Sequence, residues 1–347
     1  KRQNYNYVLP EEKIAKFPIS NRDKSKLLVY KNRSVTERKF TDLADLFPKN
    51  CLLVMNNTKV IHARMIFAKS TGAKIEIFCL NPHYPSDYQS IFNQKKTCTW
   101  QCIVGNSKKW KNEKLNLTFF LKEKTYCIEA ERVEIQETYQ TIKFSWDNEL
   151  TFGEILEIIG EIPIPPYLNR RSNETDKVRY QTIYSKHEGS VAAPTAGLHF
   201  TSDFLKQLQT KGIDIAELTL HVGAGTFKPV KSDDIGNHQM HTEYFRISKT
   251  SVEKIIKNLG NIASVGTTSM RALESLYWIG VKRHFSYPDF NFIKQWEAYD
   301  LPEIDISVAL KNLLSYFEET NSDVLEAHTQ IIIVPGYKFK VVDTLIT

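Results

Sequence analysis

Between about Met65 and Trp146 the chain alternates apolar and polar residues with a period of two and shows no helical stripe. The segments 74–80, 97–104, 114–121, 125–135 and 137–146 each read as a strand, separated by charged or turn-rich connectors. Five or six short antiparallel strands at this spacing fit a small barrel, because closing the sheet removes its open edges. Four of the five cysteines fall here and are expected as packing residues.

On either side the texture is different. Pro10 to Phe17 reads as a short helix, 27–30 as a strand, and Thr41 as the cap of a helix over 42–47 that Pro48 ends. Cys51-Leu-Leu-Val-Met55 is continuously apolar and predicts a buried strand. After the alternating block, Thr151 and Glu154 form a capping box ahead of Ile155, Leu156 and Ile159. Thr201 caps the next helix, and a strand over 213–222 follows. Thr250 and Glu253 read as a second capping box. A strand over 262–265 runs into Gly266 and a helix, and a last helix over 307–317 precedes a strand at 330–334. Helices and strands in alternation predict a layered α/β fold. The expected organisation is an α/β domain (1–64 and 151–347) with an inserted antiparallel β-barrel domain (65–150).

At 347 residues, 41% hydrophobic and 25% charged, the chain has room for two cores. No run is long and apolar enough for a membrane span, and no leader pattern opens the chain. Five cysteines without paired spacing fit reduced thiols in a cytoplasmic protein. A net charge of +6 and a pI near 8.8 are compatible with a nucleic-acid partner without requiring one.

Chemistry concentrates in two strings. Val191-Ala-Ala-Pro-Thr-Ala-Gly-Leu-His-Phe200 and Leu220-His-Val-Gly-Ala-Gly-Thr-Phe-Lys-Pro-Val230 set Thr195, His199, His221 and Thr226 among small residues. Gly197, Gly223 and Gly225 remove bulk where a ligand could meet backbone. Two histidines in such company fit proton transfer near neutral pH. Gly223-Ala-Gly225 is not a dinucleotide loop, since Lys228 stands where a third glycine is needed. His238, His241 and Glu243 have the residue types of a metal set, which keeps a metal-dependent hydrolase as a rival reading. Tyr167, Arg170 and Arg171, after a stiff proline segment, fit base stacking and phosphate contact. The lysines around Trp110 form a second basic segment.

Further strings complete a family pattern: Asn56-Asn-Thr-Lys-Val-Ile-His-Ala-Arg64, Tyr180-Gln-Thr-Ile-Tyr184, Met240-His-Thr-Glu243, Val265-Gly-Thr-Thr-Ser-Met-Arg271 and Pro335-Gly-Tyr337. With the two glycine- and histidine-bearing strings, they closely resemble the S-adenosylmethionine:tRNA ribosyltransferase-isomerases of queuosine biosynthesis, in order along the whole chain. The resemblance implies an α/β domain with an inserted small β-barrel. It implies transfer of the ribosyl part of S-adenosylmethionine onto a 7-aminomethyl-7-deazaguanine base at the tRNA wobble position. The product is epoxyqueuosine, with adenine and methionine released.

On that footing S-adenosylmethionine is a consumed substrate, with no resident cofactor and no metal. The partner is a tRNA anticodon loop, and the enzyme works as a cytoplasmic monomer. His199, His221, His241 and Glu243 are the expected catalytic set. Thr195, Gly197, Gly223, Gly225, Thr226 and Arg271 are expected on S-adenosylmethionine, and Tyr167, Arg170, Arg171, Lys228 and Arg64 on tRNA. A tRNA-binding module without activity stands as a second rival.

Two departures accompany the resemblance. The chain stops at Asp343-Thr-Leu-Ile-Thr347, where the family continues through an Asn-Phe-His segment, so a truncated C-terminus is expected. The stretch 281–327 is longer than the family's common form, and Arg283-His-Phe-Ser-Tyr-Pro and Lys294-Gln-Trp-Glu297 within it have no role derivable from sequence.

Overall fold

In the computed structural model, which describes residues 2–111, 113–223 and 232–347, the chain opens on a hairpin. Strands β1 (Lys26–Lys31) and β2 (Ser34–Lys39) pair antiparallel around Asn32 and Arg33, both at positive φ, as a two-residue turn between right-twisted strands requires. Ahead of it, the helix expected from Pro10 is a single 3₁₀ turn, Glu11–Lys13. It buries no residue, so no packing offsets the entropy of extending it. Helix α1 (Leu43–Leu46) is likewise short, and its N-cap is Asp42 rather than Thr41, with the Asp42 side chain accepting the upstream Lys39 N–H and capping no N–H of the helix. Strand β3 (Leu52–Asn56) is buried at every position, as its apolar run demands.

After β4 (Thr58–Val60), β5 (Arg64–Ala68), β6 (Lys74–Tyr84), the short helix α2 (Tyr88–Phe92), β7 (Thr97–Gly105), β8 (Leu115–Leu121), β9 (Lys124–Ile135) and β10 (Gln140–Trp146) follow. Six of these strands form one antiparallel sheet in the order β5-β6-β7-β10-β9-β8, and its two edges, β5 and β8, lie alongside each other. The barrel read from the period-two pattern is therefore present. Cys79, Cys98 and Cys102 pack inside it, whereas Cys127 is exposed. Helix α3 (Phe152–Ile159) carries the capping box read at Thr151 and Glu154. Its Phe152 ring lies 5.7 Å from that of Trp100 and 5.3 Å from that of Phe144, so the helix packs on the barrel core. Helix α4 (Glu174–Arg179) and β11 (His187–Ser190), which pairs with β4, come next. One compact unit comprises residues 59–178 and 188–192.

The other unit comprises 1–58, 179–187 and 193–347. It adds α5 (Ser202–Thr210), β12 (Asp214–His221), β13 (Glu243–Ser248), α6 (Lys249–Lys257), β14 (Ile262–Val265), α7 (Thr267–His284), β15 (Phe292–Ile293), α8 (Ile306–Thr320), β16 (Val324–Thr329) and β17 (Thr344–Ile346). Its seven-stranded sheet runs β15-β16-β13-β12-β3-β14-β17, with β12, β3, β14 and β17 parallel, β13 antiparallel to both β12 and β16, and β15 parallel to β16. Thr201 caps α5 as expected.

Two expectations fail here. The cap of α6 is Ser248, which accepts the Ser251 N–H, not Thr250. Strand β13 runs straight into the helix, so the turn begins before Thr250 is reached. The last central strand is β16, not 330–334. Alternation in Val324-Leu-Glu-Ala-His-Thr329 buries Leu325, Ala327 and Thr329, whereas Ile331 and Ile332 are buried without belonging to any strand. Among the described residues no helix is long and apolar enough to cross a membrane.

Candidate active site

Parallel β3 and β12 finish at one edge of the sheet, where antiparallel β13 begins and β16 ends. Helix α7 leaves the neighbouring β14 through Gly266, whose φ of 92° only glycine adopts readily. Carboxyl edges of parallel strands, at the point where connections depart to both sides, are where open α/β sheets take ligands. Asn56 seals the base of this edge: its side chain accepts the Leu220 and Thr58 N–H groups and donates to the Leu220 carbonyl.

Alternation on β13 sends Glu243 to one face of the sheet and Tyr244 to the other. On the Glu243 face, Arg271 comes down from the second turn of α7. Its Nη1 lies 2.6 Å from Glu243 Oε2, its Nε donates to the Ile331 carbonyl and its Nη2 to the His241 carbonyl. One turn on, Ser275 bonds the Thr329 hydroxyl at 2.7 Å, which fixes the helix over the β13–β16 pair. The Glu243 side chain is fully buried and that of Arg271 is 7% exposed. Burial lowers the Arg271 pKa while the Glu243 charge opposes the shift, and guanidinium remains charged throughout any working range.

His241 completes the cluster with a side chain 26% exposed. Its Nε2 lies 3.1 Å from Glu243 Oε1 and 3.3 Å from Arg271 Nη1. A ring nitrogen cannot donate to the first and accept from the second at once. The carboxylate favours Nε2–H, a tautomer assigned from these partners. Nδ1, without a partner among the described residues, is then the basic nitrogen. A buried carboxylate orienting a half-exposed imidazole is how general bases are built.

On the opposite face a row of rings crosses four adjacent strands. His221 is paired in register with Tyr244, Tyr244 with His328, and His328 with Phe292. The His221 and Tyr244 rings are parallel to within 2° at 6.0 Å, and Tyr244 and His328 stand 5.3 Å apart. Thr58 Oγ1 lies 3.4 Å from His221 Nδ1.

A family model described as queuosine biosynthesis protein matches residues 2–347. The chain belongs to this family. Among its relatives, the S-adenosylmethionine:tRNA ribosyltransferase-isomerase of Treponema denticola is 36% identical over 352 residues, covering 99% of this chain and 86% of that one. The enzyme of the same name from Clostridioides difficile is 38% identical over 355 residues, covering 100% and 86%. A crystal structure of the S-adenosylmethionine tRNA ribosyltransferase of Thermotoga maritima aligns at 23% identity and a TM-score of 0.40, over 98% of this chain and 82% of that one.

The family's motifs do not all converge in this chain. Met240-His-Thr-Glu243 and the helix start ending at Arg271 meet, as described. His199 lies elsewhere: it packs 5.3 Å from the Phe40 ring, and its Nδ1 bonds the Arg22 carbonyl at 3.3 Å. The space beside Gly197 is filled by protein rather than left open to a ligand, since a Cβ there would stand 2.0 Å from the Tyr184 hydroxyl. Thr195 is exposed, and a Cβ on Gly223 would meet nothing within 4 Å among the described residues. Gly225, Thr226 and Lys228 lie outside the described residues.

His238, His241 and Glu243 form no metal site, and no metal-binding group of three or more is found among the described residues. Glu243 is instead committed to Arg271. In the barrel unit, Arg64 faces Glu76, and Arg170 grips Asp176 with two bonds of 2.6 and 2.9 Å, while Arg171 and Tyr167 are exposed. Gln295, Gln330, His328 and Thr329 carry no local signal in the sequence.

Burial holds the His199 pKa below its ordinary value, against the Arg22 carbonyl, which favours the charged ring. The unfolded chain therefore takes up this proton first. The contribution to stability is complete above about pH 6.5 and is lost as the pH falls through the lowered folded-state value. Urea midpoints across that interval should drop in the wild type and drop less in His199→Asn. Equal slopes would contradict the assignment.

Proposed function

We propose that this chain transfers and isomerises the ribosyl group of S-adenosylmethionine onto 7-aminomethyl-7-deazaguanine at the wobble position of tRNA. The products are epoxyqueuosine-tRNA, adenine and methionine. The observation that carries the reading at residue level is the buried Glu243–Arg271 pair presenting His241 with a basic Nδ1. The reaction needs a base for the proton acidified beside the sulfonium, or for the one on the attacking ammonium. His241 is that base. The sulfonium needs an electron-rich neighbour; the row of His221, Tyr244 and His328 stands on the other face of the sheet from Glu243, so it is not the surface that meets a sulfonium beside His241. Arg271 spends its donors on Glu243, His241 and Ile331, so it positions rather than binds, and the methionine carboxylate falls to the amino end of α7.

A wobble base sits in a single-stranded loop and enters a pocket without melting a duplex. One copy of the chain supplies every group named, no resident cofactor is called for, and the cytoplasm is where such a substrate is met. Adenine release from S-adenosylmethionine, with and without tRNA bearing the aminomethyl base, tests the reading. Release that depends on this tRNA and is lost in Glu243→Gln is expected. Binding of tRNA with no release under any condition would leave only a binding module.

Arg171 serves the tRNA phosphates, whereas Arg170 is held by Asp176. Arg171→Glu should lower the slope of log affinity against log salt by about one with unchanged thermal stability. Arg170→Glu should destabilise the fold. An unaltered slope in Arg171→Glu removes that residue from the footprint.

A further inference from the structure

The segment that delivers His241 has no secondary structure of its own: 238–242 is neither helix nor strand. Backbone of that kind holds a catalytic ring in place only if something else fixes it. Two side-chain amides do so here. Gln295 Oε1 accepts the Met240 N–H at 2.9 Å, and its Nε2 donates to the His238 carbonyl at 2.6 Å. Gln330 Nε2 donates to the Met240 carbonyl at 2.9 Å. A primary amide is one planar group with a donor and an acceptor, so Gln295 holds this backbone as a paired strand would.

Gln295 is itself fixed. Its carbonyl accepts the Ile332 N–H, and the turn it occupies closes through Glu297, which takes the Lys294 N–H. Lys282, a fully buried lysine on α7, donates to Glu297 and to the Phe292 carbonyl, both at 2.9 Å. Helix α7 therefore reaches the site twice. Arg271 near its start orients Glu243, and Lys282 three turns later anchors the stretch that carries Gln295. The otherwise unassigned Lys294-Gln-Trp-Glu297 string acquires a task in this way.

We infer that Gln295 and Gln330 are positioning residues that set the His241 ring against Glu243 for proton transfer. The inference rests on the proposed role of His241, so its test separates the two. Adenine release is measured with tRNA for the wild type, Gln295→Met, His241→Ala and the double variant.

If His241 is the base, His241→Ala lowers kcat; an unchanged kcat there overturns the reading of the site, whatever Gln295 does. If Gln295 acts through His241, Gln295→Met lowers kcat by about tenfold to a hundredfold. The KM for S-adenosylmethionine stays unchanged, and the substitution has no further effect in the His241→Ala background. Equal loss in both backgrounds, or no loss in the first, overturns the inference. Gln330→Met releases only one bond and serves as the second variant if Gln295→Met fails to fold. It should show the same dependence on His241, and an independent effect there counts against the proposal.

Discussion

Arg271→Met should cost the fold about 3–5 kcal/mol and abolish adenine release. The methionine fills much of the vacated volume, so the penalty is not a cavity. It is the carboxylate of Glu243, whose side chain has no exposure to water and would lose its cationic partner. Burying an ion without its counterion is more costly than burying neither. The double variant Arg271→Met with Glu243→Leu should therefore recover most of the lost stability in urea unfolding. It should recover none of the adenine release, because His241 would have lost the carboxylate that orients it. A double variant that is both stable and active would reduce the pair to packing.

Much of this arrangement could be read from the chain alone, where local chemistry decides. The period-two block had to be a sheet, and a closed one leaves no edge exposed. Cys51-Leu-Leu-Val-Met55 had to be buried on both faces. Thr151 and Thr201 accept N–H groups from their own first turns, a relation confined to three residues. Where two local options competed, sequence could not choose. Ser248 and Thr250 are both plausible caps, and the register of β13 on β16 settles the matter for Ser248. Ile331 and Ile332 look like a strand because burial and strand pairing leave the same apolar signature.

The site divides along the same line. Glu243 and Arg271 were identifiable because each sits in a distinctive string, although nothing in those strings says that Arg271 would be consumed by Glu243. Gly197 read as an opening for a ligand, and the structure uses the same absence of a side chain to admit Tyr184. Gln295 and Gln330 were invisible, since their partners lie 55 and 90 residues away. An isolated glutamine carries no mark of what it will bond.

Glu274, one turn beyond Arg271 on the same helix, supports the second large expectation. It is fully buried and accepts four hydrogen bonds. The Val341 and Val342 N–H groups reach Oε1 at 2.9 Å each, and the Lys340 N–H and the Tyr337 hydroxyl reach Oε2 at 2.8 and 2.9 Å. Glutamine has the same shape with only one oxygen, so in Glu274→Gln two of these donors would face an NH₂ group instead of an acceptor. The expected loss is about 1–3 kcal/mol for each donor left without a partner. Its effect should spread along a defined route. The segment continues into β17, which pairs with β14, and the Ile346 carbonyl accepts the Gly266 N–H at the point where α7 begins. Amide exchange should therefore quicken across 340–346 and at Gly266 while the barrel strands keep their protection. Exchange that quickens everywhere alike would mean that Glu274 supports the whole fold. Unchanged exchange at Gly266 would disconnect this carboxylate from the helix start that brings Arg271 to Glu243.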